Sequence, residues 1–322
     1  MKAKDLRIVF LGTPGFAAAI LKALVENGYN ITGVITAPDK PAKRGLKIQS
    51  SEVKKYAEQK RLKILQPKNL KSPDFLAELS ALKADLQIIA AFRMLPEAVW
   101  KMPPMGTINL HAAYLPQYRG AAPINRAVMN GETETGITTF FINETIDTGQ
   151  IIFREKAPIH PDDTAGTLHD RLMNKGAALV LKTVDAIAEG NVQTVLQETL
   201  IDNPEALKTA PKIFKEDCRV KWNKTAAEIY NQIRGLCPCP CAWSEIEKDK
   251  YRCCVKIYKC EVVNRSHEFP PGTTISDNKT YLHVAAGKDL ISIKDLQIEC
   301  KKRMNIEDFL KGFRGIEEFQ FV

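Results

Sequence analysis

The 322-residue sequence predicts an α/β fold, a doubly wound and mostly parallel sheet followed by a smaller β-rich barrel. Three observations carry that expectation. Apolar strand-like runs alternate with amphipathic helical stretches through the first half of the chain, the pattern of repeated βαβ units. Beyond residue 208 the pattern changes to short strand candidates separated by Gly and Pro, as in a small barrel. Between them, chemically capable side chains gather where a strand gives way to a turn, and open α/β sheets collect their ligands at such strand ends.

Taken in order, residues 6–11 read as a first strand and 16–26 carry apolar residues at helical spacing until Asn27-Gly28 closes the helix. Strands over 31–36, 62–65, 86–91 and 107–110 alternate with helices over 50–59, 73–82 and 122–130. That alternation is the Rossmann-like, doubly wound pattern. Strands over 136–142 and 150–157 flank Asp147, and Thr164 caps a long helix running through 188. The opening Gly12-Thr13-Pro14-Gly15 lacks the G-x-G-x-x-G spacing, and Pro14 removes an N–H that a phosphate would use, which argues against a nicotinamide cofactor. A first domain over 1–190 and a polar connector over 191–207 follow. The second domain, 208–322, holds a helix near 225–234 and strands over 242–246, 253–263, 281–285 and 290–293.

Composition narrows the class. Apolar and charged fractions of 44% and 26% are those of a globular protein rather than a disordered one. No apolar run reaches the ~20 residues of a membrane span. Lys2 and Lys4 precede only a short apolar stretch with no cleavage site, so a secretory leader is not expected and the cytoplasm is. The one-residue spacing of Cys237-Pro238-Cys239-Pro240-Cys241 does not fit zinc-ligand patterns, so the eight cysteines are expected to be reduced thiols with no metal.

The net charge of +8 is unevenly spread. Between Lys40 and Lys63, nine Lys and Arg face two acids, a surplus of the kind that nucleic-acid phosphates attract. A solvated basic face is the alternative. Within that region, Pro38 to Lys47 forms a Pro- and Gly-punctuated basic loop leaving a strand's carboxyl end, where it would overhang a site.

Asn109-Leu110-His111 is the densest chemical signal. Side chains at i and i+2 of a strand share a face, so an amide and an imidazole point together. The Asn109 amide can donate to a carbonyl oxygen becoming an oxyanion, and histidine, titrating near neutrality, can move protons as an amine attacks. Asp147, in Ile146-Asp147-Thr148-Gly149, can orient the imidazole, hold a water or take the amine's proton. Neither segment holds a Ser or Cys nucleophile, which favours direct attack by a substrate amine. One Asn and one His in a strand can also be purely structural.

Asn109-x-His111, the Leu115-Pro116-x-x-x-Gly120 turn and Asp147-Thr148-Gly149 together resemble the signature of the folate-dependent formyltransferases. The likeness extends over almost the whole chain. Within the family, Tyr118-Arg119-Gly120-Ala121-Ala122-Pro123-Ile124 and Phe10-Leu11-Gly12-Thr13-Pro14 with Phe16-Ala17 are similar to members that act on charged initiator tRNA. The resemblance implies catalysis by Asn109, His111 and Asp147, with a 10-formyltetrahydrofolate co-substrate held along Ala113, Tyr114, Leu115 and Pro116. It also implies an OB-like second domain, and a basic insertion in which Arg44, supported by Lys43 and Lys47, grips the acceptor end of the tRNA. The expected partners are the folate and initiator methionyl-tRNA, with no membrane and a monomeric chain. This chain departs from the family at Ala112-Ala113-Tyr114, where members often have Gly-Ser-Leu, and at the Cys-Pro-Cys-Pro-Cys run, where they have Asn-Pro-Trp-Pro. Alternatives are formylation of a small amine, a noncatalytic tRNA-binding protein, and a hydrolase that passes formyl to water.

Overall fold

The structure is a computed structural model that describes residues 2–42 and 47–322. The chain divides into two compact units. One comprises Met1–Gly120, Thr135–Ala157 and His169–Thr209; the other comprises Ala121–Glu134, Pro158–Leu168 and Ala210–Val322.

The first unit is built on β1 (Ile8–Gly12), β2 (Ile31–Ile35), β3 (Ile64–Leu65), β4 (Leu86–Ala90), β5 (Thr107–His111), β6 (Glu134–Phe141) and β7 (Ile151–Pro158). They lie in the order β7-β6-β5-β4-β1-β2-β3. The first five run parallel, with Phe10 in register beside Val34 and Ile88. β6 reverses direction, setting His111 opposite Thr138 and Asn109 opposite Phe140. Every residue of β1 and β4 is buried, which is why both are apolar on both faces rather than alternating, save for the buried Gln87 in β4. After β3 at one edge the chain returns to pair β4 with β1, so the strand order reverses between β1 and β4, the kind of switch point at which open α/β sheets bind ligands.

Helices α1 (Gly15–Glu26), α2 (Glu52–Gln59) and α3 (Pro73–Ala81) fall where the apolar spacing places them. The Ser51 hydroxyl accepts from the Lys54 N–H, and Ser72, followed by Pro73, accepts from Phe75, satisfying donors the first helical turn leaves free. Val9, Leu11, Ile35, Phe75, Leu79 and Ile89 form one apolar cluster between helices and sheet. The expected basic loop differs in detail, because Lys40–Ala42 pairs antiparallel with Lys47–Gln49 as a short hairpin. Lys47 opens the returning strand, whereas Lys43 and Arg44 lie outside the described residues.

The second unit holds a helix over Ala226–Leu236, begun by a reciprocal cap between Thr225 and Glu228. Thr164 also caps as expected, its hydroxyl accepting from the Thr167 N–H at the start of the helix Ala165–Glu189. Strands β8 (Ala242–Lys248), β9 (Tyr251–Val263), β10 (Thr274–Ser276), β11 (Leu282–Ala286), β12 (Asp289–Ile298) and β13 (Gln320–Phe321) pair antiparallel in the order β10-β11-β12-β9-β8-β13. A bridge between Thr273 and Gln320 joins the two ends of that path, so the expected barrel closes. Closure depends on Gly272, whose φ is +87° and whose missing Cβ would sit 2.0 Å from the Phe321 carbonyl oxygen. Phe321 is 2% exposed and meets Trp222 edge-on at 5.2 Å, a burial worth roughly 1.5–3 kcal/mol. β10, β13 and the helix Ile306–Gly312 are elements that the sequence pattern did not disclose.

Candidate active site

Asn109 and His111 close β5, sharing a face about 7 Å apart along the strand. Asn109 is half-buried, and its side-chain amide makes no hydrogen bond with any described residue. A polar group with unspent donors at a strand's carboxyl end is available to a ligand. The His111 side chain is only 7% exposed. Its Nε2 lies 2.8 Å from the Tyr118 carbonyl oxygen, which can only accept, so Nε2 carries a hydrogen and donates. Nδ1 is therefore the nitrogen left for proton exchange, and it faces Asp147 Oδ2 at 3.7 Å. That distance is too long for a direct hydrogen bond and leaves the pair open to a substrate group or a water.

Asp147 lies in the loop between β6 and β7. Its carboxylate also accepts the Gly120 N–H at 2.9 Å, and its own φ of +54° places a non-glycine residue in the left-handed region. Each residue of Asp147-Thr148-Gly149 has a physical task. The Thr148 hydroxyl donates to Asn143 Oδ1 at 3.0 Å, tightening the turn. A Cβ on Gly149 would sit 1.7 Å from the Phe141 carbonyl oxygen, so only glycine lets the loop fold back against β6.

Along the proposed folate segment, Ala113, Leu115 and Pro116 are buried and Tyr114 is half-buried. The Thr138 hydroxyl donates to the Ala113 carbonyl at 2.7 Å and accepts from the Leu115 N–H at 3.1 Å. Arg154 donates to the Leu115 carbonyl at 2.9 Å while its guanidinium lies 4.3 Å from the centre of the Tyr114 ring. Much of this segment's polar backbone is thus satisfied internally, and the segment forms a braced wall with Tyr114 as its half-buried aromatic face. Phe92 and Leu95, after β4, pack in the same apolar cluster as Ile142, and the loops they join carry the exposed Met94 and Ile146.

The sequence analysis singled out Asn109, His111 and Asp147, and the structure brings the last two, 36 positions apart in the chain, to 3.7 Å of each other. It missed Thr138, Arg154 and Gln197. Thr138 was reachable in principle, since alternation in β6 points it with the face of its register partner His111. Gln197 had no such signal. Among the described residues no group of three His, Cys, Asp or Glu side chains could hold a metal ion, and no helix is long and apolar enough to cross a membrane. All eight cysteines are free thiols.

Residues 6–184 match the formyl transferase family and residues 212–314 match the formyl transferase C-terminal domain. The chain belongs to the formyl transferase family. Its curated relatives narrow the branch. It is 52% identical over 321 residues to the methionyl-tRNA formyltransferase of Parabacteroides distasonis, covering 99% of each chain. It is 56% identical over 316 residues to that of Phocaeicola vulgatus, covering 98% of each. A solved N-formyltransferase from Helicobacter canadensis, in complex with folinic acid and dTDP-3-aminofucose, shares the fold with a TM-score of 0.65 at 21% identity, covering 89% of this chain and 99% of that one.

Proposed function

We propose that this chain transfers the formyl group of 10-formyltetrahydrofolate to the α-amino group of methionyl initiator tRNA, by direct attack of the amine. The observation that carries the reading is the unspent Asn109 amide on the same strand face as His111, whose Nδ1 looks toward Asp147. An α-amino group titrates near ~7.7–8.0, so a useful fraction is neutral and nucleophilic at neutral pH. As that nitrogen bonds to the formyl carbon, negative charge moves onto the formyl oxygen and Asn109 donates to it. The attacking nitrogen gives up a proton to Asp147 through a bridging water. His111, entering protonated at Nδ1 and pinned at Nε2 by the Tyr118 carbonyl, gives its Nδ1 proton to the departing nitrogen when the old C–N bond breaks, and the proton taken up by Asp147 then passes to Nδ1 to restore the pair. Protons balance, and no covalent bond to the protein forms.

In this reading residues 1–190 catalyse, 191–207 connect, and 208–322 bind tRNA. The folate lies along Ala113, Tyr114, Leu115 and Pro116, with Met94 and Ile146 adding apolar surface. Lys43, Arg44 and Lys47 grip the acceptor end of the tRNA. The chain acts as a monomer in the cytoplasm. A basic stretch such as 40–63 has no use in formylating a small amine, which favours the macromolecular acceptor.

The test mixes the protein with charged methionyl-tRNA, a small amine acceptor and labelled formyl donor. Label on the tRNA is expected; label on the small amine or in free formate would overturn the reading. Asp147→Asn should bind the folate normally yet lose roughly 100-fold or more in turnover, and near-normal turnover would remove Asp147 from the mechanism.

A further inference from the structure

Gln197 reverses the usual sense of burial. It is fully buried, while its neighbours Val195 and Leu196 are 41% and 52% exposed. A buried amide must satisfy two N–H donors and two lone pairs, and Gln197 satisfies all four. Its Nε2 donates to the Asp147 carbonyl at 2.9 Å and to the Gly149 carbonyl at 2.8 Å. Its Oε1 accepts from Arg119 Nε at 3.0 Å and Nη2 at 2.8 Å.

Both sets of partners belong to the candidate site. One is the backbone of the turn that carries Asp147. The other is Arg119, set between Tyr118, whose carbonyl holds His111 Nε2, and Gly120, whose N–H holds the Asp147 carboxylate. One side chain therefore fixes the separation of the two segments that set His111 and Asp147 against each other. The left-handed backbone at Asp147, with φ of +54°, is strained for a non-glycine residue and persists only where surrounding bonds enforce it, and Gln197 supplies two bonds to that turn.

The segment bearing Gln197 is itself tied down. Val195 exchanges two backbone hydrogen bonds with Ile151, both at 2.9 Å, and the Thr194 hydroxyl donates to Gln150. Further along, the Lys208 carbonyl accepts from the Tyr118 N–H at 2.6 Å, and the Gln117 side chain bonds Ala206 and Lys208. The stretch that reads as a connector is a strap whose polar contacts converge on the 117–120 and 147–151 segments.

We propose that Gln197 is a positioning residue for catalysis, holding the Asp147 turn and the Arg119 segment in the spacing that sets the Asp147 carboxylate against Nδ1 of His111. It touches no substrate. The inference rests on the acyl-transfer reading of Asn109, His111 and Asp147. It goes beyond that reading by giving the connector a role in turnover.

The test compares Gln197→Leu and Gln197→Glu, each with and without Asp147→Asn, in the full-length protein. Glutamate keeps the size and the Arg119 pair but offers no donor to the two carbonyls. The readouts are kcat, KM for each substrate, and cooperative thermal unfolding. Both single variants should melt cooperatively and lose about tenfold or more in kcat, with each KM within about twofold. Asp147→Asn should cost roughly 100-fold in the wild-type background but under about tenfold beside Gln197→Leu, because residues acting through one another are not additive. Wild-type kcat in Gln197→Leu, or an equal cost of Asp147→Asn in both backgrounds, overturns the proposal alone. So does loss of cooperative folding in both variants, which would make Gln197 a residue of the fold. Normal turnover in Asp147→Asn overturns the reading of the site, and the proposal with it.

Discussion

Asn109→Ala separates chemistry from stability more cleanly than any other change in this site. The Asn109 amide is half-buried and makes no hydrogen bond with a described residue, so truncating it leaves no partner stranded. A change of that kind should cost on the order of 0.5 kcal/mol of folding free energy. The corresponding fall in melting temperature is about 1–2 °C. Turnover should respond very differently. If the amide donates to the formyl oxygen as it becomes an oxyanion, its loss raises the barrier by about 2.7–4 kcal/mol, or roughly 100- to 1,000-fold in rate. KM for both substrates should change little, because the interaction matures only in the transition state. The assay is single-turnover formyl transfer at saturating donor and charged tRNA, run beside a calorimetric melt. Turnover within about tenfold of wild type would refute oxyanion stabilisation by Asn109. A loss of activity matched by a melting shift above about 5 °C would show that the side chain serves the fold instead.

Arg44→Ala should lower kcat/KM for tRNA by about tenfold and reduce its salt dependence, leaving KM for the formyl donor unchanged. Unaltered tRNA parameters in steady-state kinetics would remove Arg44 from the interface. Gly272→Ala should cost on the order of 3 kcal/mol in urea unfolding, since its Cβ meets the Phe321 carbonyl at 2.0 Å and its φ is +87°. An unshifted midpoint would contradict the account of barrel closure. Burial pushes the Cys241 thiol up to about 12. An unfolded thiol ionises near ~8.5, so above that pH the unfolded chain binds fewer protons and stability falls as pH rises toward 12. Cys241→Ala should flatten this alkaline decline, and an identical decline in the variant would refute the assignment.

The legible parts of the fold were those written in local pattern. Apolar runs announced β1 and β4, because a parallel strand covered on both faces is apolar at nearly every position, Gln87 being the buried exception. Thr164 announced a helix start through a donor it could satisfy three residues on. By contrast β13 spans only Gln320–Phe321, too short for any period, and exists because Gly272 lets the chain approach it. The basic stretch after β2 read as a loop because Pro and Gly mask the alternation that a three-residue hairpin strand could display.

The same division runs through the site. Residue chemistry and the two-residue strand period were enough to nominate Asn109 and His111 together with Asp147 as a possible partner, and family likeness joined the three into one site. Only the tertiary structure decided which imidazole nitrogen is free, since the Tyr118 carbonyl takes Nε2 and leaves Nδ1 toward Asp147. It alone placed Gln197, whose partners lie 78 positions away at Arg119 and 50 at Asp147. Periodicity and capping are set by bonds between near neighbours in the chain, so a sequence displays them directly. A hydrogen bond between distant segments depends on how the whole sheet and its loops have closed, and no local pattern records that.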